Sequence, residues 1–176
     1  MILVSIKPYY YYLIAEEKKK IEVRKMALKN LPQDIAFYMS KDEKSFAKIP
    51  KEFHEKYRKH FGKIGMRVVC DKVYKYTFSH YEAEYRVTHV EQEAMCLNQP
   101  ELIRYGKGNL LYGWHISDLK IYDKPKELSE FCIPCKTNCE DCKKPLFYDC
   151  WKEKGKIKVV TRPPQSYMFV EELKEV

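Results

Sequence analysis

Residues 1–25, MILVSIKPYYYYLIAEEKKKIEVRK, place a strand, a helix and a second strand in immediate succession. Residues 1–6 are apolar enough for a buried strand, and Pro8 suits the first turn of a helix, where its missing N–H is not needed. Residues 21–25 alternate apolar and charged side chains, which is typical of a half-buried strand. This order gathers four charged residues at the start of the second strand: Lys19, Lys20, Glu22 and Arg24.

That charge cluster has two interpretations. A carboxylate flanked by cations can line a pocket for a polar, anionic ligand, and Lys19 and Glu22 can act as an acid–base pair if burial shifts their pKa values. The same residues can instead form a solvated strand face with local ion pairs. Glu91 and Glu93, which precede a second helical region, are a further source of a carboxylate for such a pocket.

The rest of the chain predicts more strands than helices. Residues 35–39, 66–78, 110–122 and 167–170 have the pattern of strands, and residues 91–105 have that of a helix in two pieces. Apolar side chains change from even to odd positions near Ser117, which predicts a β-bulge. About six strands and two or three helices predict an α+β protein built on a small mixed β-barrel, with residues 1–176 forming one domain.

Composition limits the partners and the compartment. The 176 residues are 45% apolar and 33% charged, and no apolar run approaches the roughly 20 residues that span a bilayer. The first residues have no basic leader or small-residue cleavage site, so we expect a cytoplasmic protein without a membrane partner. The net charge of +8 and the 15 tyrosines, many beside Lys or Arg, suit RNA binding by phosphate contacts and base stacking. The tyrosines can equally serve as strand-packing residues.

Two segments interrupt this pattern. Residues 41–63 are highly charged and predict a helical or loose basic insertion, and residues 132–155 form a cysteine-rich insertion. Four cysteines follow the pattern C-x2-C-x3-C-x2-C and a fifth lies eight residues later, so the candidate ligands of a structural zinc ion are Cys132, Cys135, Cys139, Cys142 and Cys150. An iron–sulfur cluster and free thiols are the alternatives.

Three short motifs, in order along the chain, resemble the ASCH domains of the PUA-like superfamily. The first joins Ser5-Ile6-Lys7-Pro8 and its helix to the Lys19-x-Ile-Glu22-x-Arg24 strand. The second, residues 113–119 (GWHISDL), and the third, residues 162–166 (RPPQS), look like versions found in bacteria, phages and prophages. The resemblance covers most of the chain apart from the two insertions.

The resemblance implies a small β-barrel with a cleft beside the first helix that holds RNA or a modified nucleoside. Some members are acetylcytidine amidohydrolases that use a Lys, a Thr and a Glu. By that pattern Lys19 matches the Lys and Glu93 the Glu, whereas Glu22 stands where those enzymes have Thr. The missing hydroxyl weakens a hydrolase interpretation, although a Glu at this position could activate water.

Three functions follow as hypotheses. The first is an RNA- or nucleoside-binding module whose candidate ligand-binding residues are Lys7, Lys19, Lys20, Glu22, Arg24, Trp114 and His115. The second is an amidohydrolase of acylated cytidine-type nucleosides with the catalytic set Lys19, Glu22 and Glu93. The third is a phage-type interaction protein that binds a host protein through residues 41–63 and the cysteine-rich segment.

Overall fold

The computed structural model describes residues 1–134 and 159–173. Its strands are β1 Ile2–Ile6, β2 Ile21–Arg24, β3 Gln33–Met39, β4 Ile64–Tyr76, β5 Phe78–Ser79, β6 Glu84–Tyr85, β7 Leu111–Lys126, β8 Phe131–Cys132, β9 Tyr167–Phe169 and β10 Glu171–Glu172. Its α-helices are α1 Pro8–Ala15, α2 Glu43–Phe46, α3 His54–Arg58, α4 His89–Met95 and α5 Gln99–Gly106. Within these ranges, no helix combines the length and the apolar character required to cross a membrane.

Six strands form the central mixed sheet, in the order β2-β7-β4-β3-β1-β9. The pair β1–β3 is parallel and the other four pairs are antiparallel. The sheet curls into a half-barrel, so the predicted α+β class and six strands are confirmed. The prediction of two or three helices was too low, because α2 and α3 are short helices with no clear apolar periodicity. In the part of the chain that the structure describes, β2 and β9 do not pair, so the sheet remains open.

The predicted bulge in the longest strand is confirmed. Val69 pairs with Ser117 but Arg67 pairs with Lys120, so β7 carries one more residue than β4 across this interval. The extra residue is Asp118, whose backbone adopts the left-handed conformation at φ 49°. The bulge explains why apolar side chains change parity here, because an inserted residue turns the following side chains to the opposite face.

The charged segment 41–63 is helical and packs on the main core. Phe46, Ile49 and Tyr57 are buried, and the Tyr57 ring lies edge-on to the ring of Tyr11 in α1, with 6.2 Å between centroids. Burial of these apolar side chains is the main driving force that holds α2 and α3 against α1. This packing brings the start of α2 next to the start of α1 and to the site described below.

Candidate functional site

A cavity of about 660 Å³ opens beside the first turn of α1. Its walls come from the β1–α1 junction, β2, the segment around α2, and α5. Six cations line it: Lys7, Lys19, Arg24, Lys44, Lys48 and Arg104. Among the described residues, three carboxylates accompany them: Glu22, Asp42 and Glu101. The volume lies within the range of small-molecule sites, and the excess of cations favours an anionic ligand.

Lys19 lies at the base of this cavity because of how α1 ends. Glu17 adopts a left-handed conformation at φ 56°, and the N–H groups of Lys18 and Lys19 both donate to the Leu13 carbonyl at the helix end. This reversal turns the Lys19 side chain inward, where it is only 1% exposed. Its ammonium donates to the carbonyl of Met95, at the C-terminal end of α4, where a helix favours a cation.

Glu22 lies between two cations. One of its carboxylate oxygens is 3.5 Å from Lys19 Nζ, and the other is 3.0 Å from Arg24 Nε. Nε has no aligned hydrogen-bond acceptor among the described residues, so the contact with Glu22 is electrostatic in character. Arg24 also donates from its Nη2 to the Ser5 carbonyl, at 2.9 Å, and its guanidinium lies 5.9 Å from the Trp114 ring.

Burial changes the proton affinity of the groups that line the cavity. It lowers the pKa of Lys19 below its usual value, and the negative charge of Glu22 opposes this change only in part. Burial also raises the pKa of Tyr10, with a further contribution from Glu101, and it raises the pKa of Tyr105. Both phenols are therefore neutral hydrogen-bond donors at physiological pH, and their rings provide surfaces for stacking.

The structure brings Lys7, Lys19, Glu22 and Arg24 to the cavity. Four other predicted site residues do not line it. Lys20 is exposed and pairs with Glu17 at 2.8 Å, while Trp114 is 1% exposed and donates its indole N–H to the Met26 carbonyl.

The remaining two are paired elsewhere. His115 Nδ1 lies 2.6 Å from an oxygen of Asp71 in β4. The side chain of Glu93 is 67% exposed and lies 3.4 Å from His89 on the same helix, α4. The structure therefore does not bring Glu93 into the pair formed by Lys19 and Glu22, because β2 contacts α4 through a different face of the helix.

Several residues that line the cavity were not predicted as site residues. Lys44 and Lys48 belong to the charged segment 41–63, and Arg104 and Tyr105 belong to α5. The four-residue spacing of Lys44 and Lys48 is a weak signal that both can face one side of a helical segment. Only the packing of that segment against α1 shows that this side faces the cavity.

The predicted zinc ligands lie largely beyond the described ranges. Cys132 is buried in β8 and pairs with Glu171 of β10, whereas Cys135, Cys139, Cys142 and Cys150 are outside the described residues. Burial raises the pKa of the Cys132 thiol. No group of three or more metal-binding side chains occurs within residues 1–134 and 159–173. The zinc site therefore stays a prediction.

Comparison with solved structures identifies the fold. An ASCH protein from Zymomonas mobilis, in a crystal structure of a tyrosine-to-phenylalanine variant, is similar over 97% of this chain and 89% of its own, with a TM-score of 0.55 and 13% identity. A serine-to-alanine variant of that protein gives a TM-score of 0.54 and 12% identity, over 97% of this chain and 87% of its own. No protein-family model and no curated protein matches the chain. The chain therefore has the ASCH fold, as its motifs predicted.

Proposed function

We propose that this protein binds RNA, or a modified nucleoside derived from it, in the cavity beside α1. The observation that carries the proposal is the buried carboxylate of Glu22, which lies between Lys19 and Arg24 in a cavity lined by six cations. A carboxylate accepts hydrogen bonds from an exocyclic base amine, while the surrounding cations attract the nucleic-acid backbone. The rings of Tyr10 and Tyr105 add the flat surfaces on which an unpaired base stacks.

The surrounding geometry supports a pre-formed site. Glu22 and Arg24 lie on β2, which pairs with the long strand β7, and α1 and α4 fix Lys19 through backbone contacts. Side chains anchored on regular elements lose little conformational freedom when a ligand binds, which reduces the entropic cost of binding. An unpaired nucleotide is the part of an RNA that fits a concave site of this size.

An amidohydrolase is the second candidate function, and the buried amine of Lys19 is the observation that favours it. Because its pKa is lowered, a larger fraction of the amine is neutral and able to accept a proton from water. The water oxygen would attack the acyl carbon, the C–N bond would break, and the proton would pass to the leaving nitrogen. Glu22 would hold the water in place of the hydroxyl that related enzymes use.

Incubation with total cellular RNA tests both functions. We expect the protein to retain RNA at 50 mM salt and to release much of it at 200 mM, because counterion release makes such binding salt-dependent. Arg104→Gln should weaken retention about threefold or more, since Arg104 is an exposed cation of the cavity. Lys20→Gln, which removes an equally charged residue outside the cavity, is the matched control and should leave retention nearly unchanged.

Mass spectrometry of the recovered nucleosides separates the candidates. Retention with unaltered nucleosides supports the binding function, and loss of an acyl group from a modified nucleoside supports the amidohydrolase. If Lys20→Gln weakens retention as much as Arg104→Gln, RNA binds at another surface and the cavity is not its site. If retention does not change with salt, or is absent, the RNA proposal is wrong.

A further inference from the structure

The cavity has one wall made of lysines, formed by Lys7, Lys44 and Lys48 and called here the lysine wall. Lys7 immediately precedes α1, and Lys44 lies in α2 with Lys48 just after it. Lys7 Nζ is 4.0 Å from an oxygen of Asp42, the residue that caps α2. The wall is therefore formed where the starts of two helices meet, from residues nearly forty positions apart in the chain.

The backbone under the lysine wall is anchored, although the side chains are exposed. Ser45 Oγ accepts a hydrogen bond from the Tyr9 N–H at 3.1 Å, which joins α2 to the first turn of α1. Phe46 and Ile49, on either side of Lys48, are buried in the main core. The ammonium groups can therefore adjust to a ligand while their attachment points stay beside the cavity.

The charge on this wall is only weakly neutralised. In the part of the chain that the structure describes, neither Lys44 nor Lys48 forms an ion pair. Asp42 is the one carboxylate on the wall, and its other oxygen already accepts the Ser45 N–H at 3.0 Å. Neighbouring cations outside the cavity are paired more closely, as Arg58 is with Glu43 at 2.9 Å. An anion at the wall would therefore reduce repulsion among three cations.

Two groups of residues that line the cavity differ in chemistry. Lys19 and Arg24 flank the buried Glu22 carboxylate, whereas the side chains of the lysine wall are exposed. The first turn of α1 also reaches the cavity through Tyr9 and Tyr10, and its dipole adds to the attraction of an anion. A ligand with a hydrogen-bond-donating edge and a separate negative group complements both groups of residues.

We propose that the lysine wall binds the phosphate of a nucleotide whose base amine faces Glu22, an inference that rests on the proposed function of the cavity. Lysine ammonium groups are point charges that suit phosphate oxygens. The phosphate belongs either to a free mononucleotide or to a nucleotide unit within an RNA strand. In both cases the phosphorylated form, and not the bare nucleoside, is the preferred ligand.

Calorimetric titration with matched pairs of probes tests this inference. Cytidine is compared with cytidine 5′-monophosphate, adenosine with adenosine 5′-monophosphate, and a seven-nucleotide single-stranded RNA is titrated alongside them. We expect each monophosphate to bind about tenfold more tightly than its nucleoside at 50 mM salt, since charge-assisted contacts to phosphate are among the stronger ones. The advantage should shrink at 200 mM salt, because exposed charges are screened.

The double variant Lys44→Gln, Lys48→Gln removes most of the charge of the wall without touching a buried side chain. It should reduce the ratio of monophosphate affinity to nucleoside affinity to about twofold or less. The control double variant Lys29→Gln, Lys51→Gln changes the net charge equally at exposed positions that do not line the cavity. It should keep the full advantage.

The outcomes separate this inference from the proposed function. If nucleosides bind as tightly as their monophosphates, or if both double variants lose the advantage equally, the lysine wall is not a phosphate site, although the cavity still binds a nucleoside. If the RNA strand binds in a wall-dependent way but the mononucleotides do not, the wall holds a phosphate of the RNA chain. If nucleosides, nucleotides and RNA all fail to bind, the proposed function and this inference are both wrong.

Discussion

At the scale of single residues, Lys19, Glu22 and Arg24 form a group of charged side chains that is unusual because it is largely buried. Ionised side chains lose favourable hydration when they are buried, and their mutual attraction recovers this only when the geometry is good. Here Glu22 contacts both cations and Lys19 gains the Met95 carbonyl. The intact group is therefore compatible with a stable fold, and removal of the Glu22 carboxylate should lower the free energy of unfolding.

Glu22→Gln should lower the free energy of unfolding by about 3 kcal/mol at pH 7, because it leaves buried Lys19 without its counter-charge. Urea unfolding measures this change. Glu17→Gln removes the partner of exposed Lys20 and is the control, with an expected loss below about 1 kcal/mol. Equal losses in the two variants would show that Glu22 is not buried as described.

The pH dependence of the Glu22→Gln effect has a defined direction. The pKa of Lys19 in the folded protein lies below its usual 10.5. At a pH between the folded-state pKa and 10.5, Lys19 binds a proton when the protein unfolds, so the free energy of unfolding rises with pH across that window. Loss of Glu22 lowers this pKa further and extends the window towards neutral pH. The cost of the substitution should therefore shrink as pH rises through the folded-state pKa of Lys19 in the wild-type protein, because above it Lys19 is neutral in the folded state of both proteins.

At the scale of elements, the bulge in β7 shows how one residue adjusts a long strand. Asp118 is exposed and adopts φ 49°, a conformation that Asp tolerates and β-branched residues do not. It lies where β7 passes from pairing Val69 to pairing Arg67. The backbone conformation at this position, and not a side-chain contact, allows the strand to continue along β4.

Asp118→Gly should leave the free energy of unfolding within about 0.5 kcal/mol of the wild-type value or raise it, because Gly adopts positive φ without strain. Asp118→Val should lower it by about 1–3 kcal/mol, the cost of a β-branched residue in this region. Thermal or urea unfolding of the pair provides the comparison. A valine variant as stable as the glycine variant would mean that the strand has no left-handed residue at this point.

At the scale of the whole molecule, the segment 41–63 is part of the folded unit. It contributes Phe46, Ile49 and Tyr57 to the main core and Lys44 and Lys48 to the cavity. Its high charge predicted a helical or loose basic insertion, yet three of its apolar side chains are buried. The core and the lining of the cavity are therefore linked through this segment, since the same helices contribute to both.

Tyr57→Ala measures that link. Tyr57 has no solvent exposure, so its truncation should cost about 3–5 kcal/mol, as for a large core aromatic. Phe37→Ala in the central sheet, also fully buried, should cost a similar amount. Tyr81→Ala, at a side chain 99% exposed, should change stability by less than about 0.5 kcal/mol. A near-neutral Tyr57→Ala would show that the segment is only loosely attached.

The sequence alone was sufficient for the order β1–α1–β2, the α+β class, the bulge near Ser117 and the association of Lys19 with Glu22. Each of these depends on residues close together in the chain, where side-chain periodicity and short connections determine which groups share a face. The tertiary structure decided that the sheet stays open as a half-barrel and that Lys44, Lys48 and Arg104 line the cavity while Lys20 and Glu93 do not. These outcomes depend on how helices pack on the curled sheet, and local pattern does not contain that information because the partners are separated by tens of residues.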